Sequence, residues 1–179
     1  MELDKKSATN VWSKVFLFSL GISLASAFAM KWIESDFILK GNLFTILGLE
    51  FSYTKSEIQF LVSNLDERVH TLLVNHLIYD FAFMAGIYPL IASLCMLSRK
   101  KVSGKAMKGL LLFFALIQSI AWVADILENW YLLTWIRERN VNELYFQFHY
   151  IVWTKWMIAI SGILIFIVSL FFRGKKINI

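Results

Sequence analysis

The sequence contains a single cysteine, Cys95, and a single proline, Pro89, in 179 residues. One cysteine cannot form a disulfide or a C-x-x-C pair within the chain, which excludes a disulfide framework and thiol–disulfide exchange by paired cysteines. Charged residues are also scarce, at 17%, whereas a typical soluble domain has about a quarter. Together with a hydrophobic content of 58%, this scarcity of charge argues against a soluble globular domain.

Four long apolar segments account for the hydrophobic excess. They extend over about residues 12–33, 73–98, 107–135 and 149–172, and each approaches or exceeds the ~20 residues that an α-helix needs to cross a bilayer. Pro89 lies inside the second segment, where it is expected to kink the helix. The sequence therefore predicts an all-α membrane protein, a four-transmembrane-helix bundle that forms one domain over residues 1–179.

Basic residues are concentrated in segments that would lie on one side of the membrane. By the positive-inside rule these segments face the cytoplasm, so both termini are predicted to be cytoplasmic (N-in, C-in). Short juxtamembrane clusters favour membrane lipids as partners and make a nucleic-acid partner unnecessary to explain the net charge of +5. Eleven of the eighteen basic residues belong to them: Lys5, Lys6, Lys14, Arg99, Lys100, Lys101, Lys105, Lys108, Arg173, Lys175 and Lys176.

The first apolar segment also resembles a secretory signal, because it follows a basic start and contains the A-x-A pattern of Ala27–Ala29. Cleavage there would leave a three-span remnant with its N-terminus outside. We therefore expect an uncleaved first span, in which Ser19, Ser23, Ser26 and Ala27 form a face of small residues for close helix packing.

Charged side chains within the predicted spans are the most informative feature of the sequence, and we call these four the charged layer: Asp80, Asp125, Glu128 and Lys155. An ionisable group at the centre of a membrane helix costs roughly 3 kcal/mol or more, so it usually faces a partner or a cavity. In antiparallel spans, the helical rise places Asp80, Asp125 and Lys155 at a similar depth, in the half away from the cytoplasm. About one turn further out lie Glu128, Asn129, His76 and His149.

The first connection on the outer side, about residues 34–72, is too long for a simple turn. Its apolar stretch Phe44–Tyr53 is expected to be extended. Thr54 and Glu57 then have the spacing of a capping box and precede an apolar stripe, which predicts an amphipathic helix of about three turns. This helix either covers the charged layer as a lid or only shields the ends of the spans.

The charged layer allows a structural interpretation and a binding interpretation. In the structural or accessory role, Lys155 pairs with Asp125 or Asp80 and fixes helix packing. One lysine cannot neutralise three carboxylates, however, so at least one acid is expected to be protonated or to reach water. In the binding role, the acids line a pocket for a small amphipathic ligand, whose amine headgroup could contact tryptophan rings. The predicted ligand-binding residues are Asp80, Asp125, Glu128, Asn129, Lys155, Trp122, Trp153 and Trp156.

The alternative is a small intramembrane lipid-modifying enzyme of hydrolase or isomerase type. Its acid–base candidates are Asp80, Asp125, Glu128 and His76, although no motif beyond residue type supports catalysis. The only E-x-x-H pattern, Glu67–His70, lies in a connection, and no H-x-x-x-H pattern occurs, so we predict neither a metal nor another cofactor. A second copy of the chain or another membrane protein is compatible with the sequence as a partner.

Several short motifs occur in an order that resembles a group of small bacterial four-span membrane proteins. The motifs are Tyr-Thr-x-x-Glu at Tyr53–Glu57, D-x-x-E-N at Asp125–Asn129 in the third span, and Lys155-Trp156 in the fourth. Asp80 in the second span also matches. The resemblance implies the four-span fold and a location in the bacterial inner membrane, and it supplies no activity.

Overall fold

The predicted spans form long, continuous α-helices in the computed structural model, which describes residues 2–172 and the side chains of residues 11–172. They are α1 (Glu2–Glu34), α3 (Glu67–Arg99), α4 (Lys105–Glu138) and α5 (Tyr145–Ser169), and a short 3₁₀ turn (Leu170–Phe172) follows α5. All four are long and apolar enough to cross a membrane, which confirms the predicted all-α membrane architecture. Outside the described residues lie Arg173, Lys175 and Lys176, together with the side chains of Lys5 and Lys6.

The four helices pack in the order α1, α3, α4, α5. Helix α3 packs against both α1 and α4, whereas α5 packs mainly against α4 and has a smaller interface with α3. Helix α1 has no comparable interface with α4 or α5 among the described residues. The bundle is therefore open on one side, where α1 and α5 flank α3 without closing over it.

Helices α1 and α3 approach each other very closely. A Cβ atom added to Gly86 would lie 2.5 Å from Ser23 Oγ and 2.8 Å from the backbone nitrogen of Ser23. Ser19, Ser23 and Ser26 are all buried. The three serines of the predicted small-residue face are thus buried, with Gly86 as the matching surface on α3, whereas Ala27 is exposed.

The connection between α1 and α3 is structured and shorter than predicted, because α3 begins at Glu67. A two-residue turn with positive φ at Lys40 and Gly41 joins strands β1 (Ile38–Leu39) and β2 (Asn42–Leu43). A π-helical turn follows at Gly48–Ser52, so the expectation of an extended Phe44–Tyr53 stretch is wrong. A short apolar run does not distinguish a strand from a buried helical turn by its pattern alone.

The amphipathic helix α2 (Lys55–Ser63) packs on what we call the loop end of the bundle, where α1 and α4 end and α3 and α5 begin. Its buried side chains Ile58, Leu61 and Val62 join the largest apolar core, which includes Trp135 and Phe148. The backbone N–H of Val141 donates a hydrogen bond of 2.7 Å to Gln59 Oε1. This bond links α2 to the connection between α4 and α5. Helix α2 is therefore anchored at the loop end by this apolar core and by the hydrogen bond.

The capping box at the start of α2 gives a testable pH dependence. Thr54 donates backbone and side-chain hydrogen bonds to Glu57, which hold the pKa of that carboxyl below its usual value of 4.5. A carboxylate with a lowered pKa stabilises the folded state above its unfolded pKa, and this contribution is lost as the pH falls through the folded pKa. Glu57→Gln should therefore lower the unfolding midpoint at pH 7, and the difference from wild type should disappear on acidification. Lys55→Gln at an exposed neighbouring position is the control, and an equal effect from both variants would contradict the prediction.

Candidate functional site

A buried lysine on α5 lies at the centre of the charged layer. Lys155 Nζ is 2.8 Å from Asp125 Oδ1 and 2.6 Å from Glu128 Oε2, both on α4. It is also 3.4 Å from Oε1 of Glu50, which lies in the π-helical turn of the first connection. We call Lys155 with these three acids the Lys155 cluster. It joins two membrane helices and the connection through a single ammonium group.

Neighbouring aromatic residues hold the outer oxygens of the Lys155 cluster. Tyr88 OH on α3 donates a hydrogen bond of 2.8 Å to Asp125 Oδ2. Trp156 Nε1 donates one of 2.9 Å to Glu50 Oε2. The ring of Trp156 also lies 5.8 Å from Lys155 Nζ, within cation–π distance. These bonds fix the orientation of both carboxylates.

Asp80 and His76 lie beside the Lys155 cluster, one helical turn apart on α3. Asp80 Oδ2 accepts a hydrogen bond of 2.8 Å from Asn129 Nδ2 on α4, which also lies 3.5 Å from the backbone carbonyl of Leu77. His76 is 97% buried, with 3% of its surface exposed, and its Nδ1 has no hydrogen-bond partner among the described residues. A buried polar atom without a partner costs about 1–3 kcal/mol, so this nitrogen destabilises the site unless another molecule donates a hydrogen bond to it.

The site has more acidic groups than basic ones. Three carboxylates surround Lys155, and Asp80 adds a fourth next to them. Glu128 Oε1 is buried and has no hydrogen-bond partner among the described residues. Charge balance in such a buried place requires either protons on the acids or an additional cation.

A cavity of about 410 Å³ opens between α1 and α5 and reaches the Lys155 cluster. Its lining is polar near the loop end, where the charged or ionisable residues that face it are Lys31, Glu34, Glu50, His76, Asp80, Asp125 and Lys155. The opposite end is apolar and is formed by Ala27, Met30, Ile87, Ile91, Ala159, Ile160 and Ile163. From His76 to Ile91 the lining extends about 22 Å along α3. The cavity thus has the polarity profile of an amphiphile.

No family model, no curated protein and no solved structure matches this chain.

The structure brings together most of the predicted site residues but places two tryptophans elsewhere. Trp156 lines the cavity. Trp153 is 56% exposed and packs edge-on against Phe51, because a residue two positions before Lys155 points to the other side of α5. Trp122 lies one turn deeper than Asp125 and packs against the apolar cluster of Met84 and Ala121. Neither of the two belongs to the cavity lining, which corrects the expectation for Trp122 and Trp153.

Glu128 and Asn129 take part in the site without lining the cavity. Both are 1% exposed and contact the site through Lys155 and Asp80, respectively. In the described part of the chain, no three His, Cys, Asp or Glu residues are arranged to hold a metal ion.

Sequence reasoning missed Glu50 and Tyr88. Glu50 lies in the connection between α1 and α3. A charged residue is less unusual there than within a membrane span, so there was little reason to expect Glu50 in the site. It is nevertheless 95% buried, as is consistent with the apolar residues on both sides of it. Nothing in the sequence indicated Tyr88 as a site residue, because tyrosine is common in membrane helices.

Proposed function

We propose that this protein binds a small amphiphile or lipid in the cavity between α1 and α5. The observation that carries the proposal is one continuous cavity with charged groups at one end and aliphatic side chains at the other. A headgroup would lie against the Lys155 cluster, and an alkyl chain would lie along α3 and α5. The open side of the bundle gives such a molecule direct access from the membrane.

The proposal includes an orientation in the cell membrane. Basic residues in or beside the connection between α3 and α4 support a cytoplasmic location of that connection by the positive-inside rule: Arg99, Lys101, Lys105 and Lys108. Both termini are then cytoplasmic, and the cavity's polar end lies in the outer half of the bilayer. The resemblance noted above supports a bacterial inner membrane as the location.

A lipid-modifying enzyme is a second candidate, favoured by one observation. His76 and Asp80 line the same cavity as the proposed ligand, and His76 Nδ1 has no hydrogen-bond partner among the described residues, so an imidazole and a carboxylate at this end could act as an acid–base pair. Turnover of a lipid that is abolished in His76→Phe would support this candidate, whereas binding that persists without turnover supports the binding role alone.

Filling the cavity tests the binding role directly. Ala27→Phe places a benzyl group into the cavity from α1, so we expect it to displace the bound amphiphile. The measurement is mass spectrometry of lipids that remain with the protein after gentle detergent extraction. We expect a molecule that is retained by wild type and reduced at least about tenfold in Ala27→Phe, because a steric clash excludes rather than weakens a ligand.

Ala25→Phe is the matched control, since Ala25 is exposed on the same helix and does not line the cavity. It should retain the amphiphile at the wild-type level. Equal retention in both variants, or no retained molecule in wild type, would contradict the binding role and leave the Lys155 cluster with a structural one.

A further inference from the structure

Lys155 is already paired with carboxylates of the protein itself. Its ammonium group has three N–H donors, and three carboxylate oxygens lie within 3.4 Å of Nζ. The remaining oxygens of Asp125 and Glu50 accept hydrogen bonds from Tyr88 and Trp156. The Lys155 cluster therefore forms a closed wall of the cavity and offers a ligand little that is unpaired.

Two residues that line the cavity each have a polar atom without a partner in the described residues. One is Nδ1 of the buried His76. The other is Asp80 Oδ1, since the hydrogen bond to Asn129 uses Oδ2. The two residues are four positions apart on α3, so their Cβ atoms are about 5–6 Å apart on one face. Both atoms can accept a hydrogen bond when His76 carries its proton on Nε2.

We propose that the ligand is an amphiphile with a protonated primary or secondary amine, whose N–H groups bind Asp80 Oδ1 and His76 Nδ1. This inference rests on the proposed amphiphile-binding function and adds the headgroup to it. A cation with two or more N–H donors matches two neighbouring acceptors and supplies the positive charge that the acid-rich site lacks.

Other common headgroups fit these atoms less well. Phosphate and carboxylate would be repelled by the acids around the site, and Lys31, which also lines the cavity, is already paired with Glu34 at 2.8 Å. A quaternary ammonium has no N–H to donate, and the ring of Trp156 is already in contact with Lys155. A hydroxyl can satisfy one acceptor but brings no charge. The two acceptor atoms therefore favour a headgroup that carries a positive charge and has N–H donors.

The test compares three ten-carbon amphiphiles on the full chain in phosphatidylcholine nanodiscs: decylamine, decyltrimethylammonium and decanol. Isothermal titration calorimetry, with empty nanodiscs subtracted, separates saturable binding from partitioning into lipid. We expect decylamine to bind at least about tenfold more tightly than the other two, because a charge-assisted hydrogen bond is worth more than a neutral one. Asp80→Asn should remove this preference, whereas Glu143→Gln, at an exposed position outside the cavity, should keep it.

The possible results separate the two proposals. Saturable binding of all three compounds with similar affinity overturns the amine inference and leaves amphiphile binding supported. Preference for decyltrimethylammonium or decanol also overturns it, as does an Asp80→Asn variant that still prefers decylamine. No saturable binding of any compound counts against both proposals. The comparison on the unmodified protein decides the inference if Asp80→Asn fails to assemble.

Discussion

Replacing Lys155 with methionine is expected to lower the free energy of unfolding by about 3–5 kcal/mol, because removing one partner of a buried ion pair leaves its counter-charges uncompensated. Three carboxylates depend on this ammonium, and the lysine side chain is only 8% exposed. The measurement is the unfolding midpoint in mixed micelles with increasing sodium dodecyl sulfate. Lys101→Met, at an exposed position in the connection between α3 and α4, is the control and should unfold near the wild-type midpoint.

A compensated variant separates the loss of charge balance from the loss of packing. Lys155→Met combined with Asp125→Asn and Glu128→Gln removes the cation and its two nearest acids together. Buried ion pairs that are replaced as a unit are often neutral in stability, so this variant should recover most of the loss. A triple variant no more stable than Lys155→Met would show that the acids are not the cause of the destabilisation.

The second large effect is expected where α1 meets α3. Gly86→Ala should lower the free energy of unfolding by about 1–3 kcal/mol, as overpacked sites do. The added Cβ would lie within 3.0 Å of Ser23 Oγ, the Ser23 backbone nitrogen and the Ser19 carbonyl oxygen. Because two of these atoms belong to the backbone, the clash can be relieved only by moving α1 away from α3. The same detergent titration measures the change.

Gly109 provides a matched control of opposite sign. A Cβ atom at Gly109 on α4 meets nothing within 4 Å, and alanine is intrinsically the better helix former by about 1 kcal/mol. Gly109→Ala should therefore leave the unfolding midpoint unchanged or raise it. Similar destabilisation in both variants would mean that the close contact between α1 and α3 is not the reason for the effect at Gly86.

The fold was largely predictable from the sequence because each span is long, apolar and bounded by charged residues. Because charged residues are rare in those spans, Asp125, Glu128 and Lys155 could be recognised as candidate site residues. The helical rise then predicted that they lie at a similar depth. The contacts at Lys155 bear out that geometric argument. The small-residue face of α1 could also be predicted, since Ser19, Ser23 and Ser26 recur at helical spacing.

The contribution of the first connection could not be predicted in the same way. Glu50 lies 105 residues before Lys155, and no periodicity relates the two positions. Its carboxylate reaches the bundle only because Gly48–Ser52 turns inward as a helix, which the apolar run did not distinguish from a strand. The rotation of side chains within one helix also mattered, since Trp153 and Trp156 are near neighbours in sequence but only Trp156 lines the cavity.

The order of synthesis separates the acids of the Lys155 cluster from their counter-charge. Asp125 and Glu128 leave the ribosome before Lys155, which follows Asp125 by 30 residues. While α5 is still being made, α4 therefore carries two carboxyl groups before the ammonium that pairs with them exists. Holding them in hydrocarbon at that stage is costly. The synthesis of α5 thus supplies the counter-charge that stabilises α4 in the membrane. We therefore expect α4 and α5 to enter the bilayer as a pair.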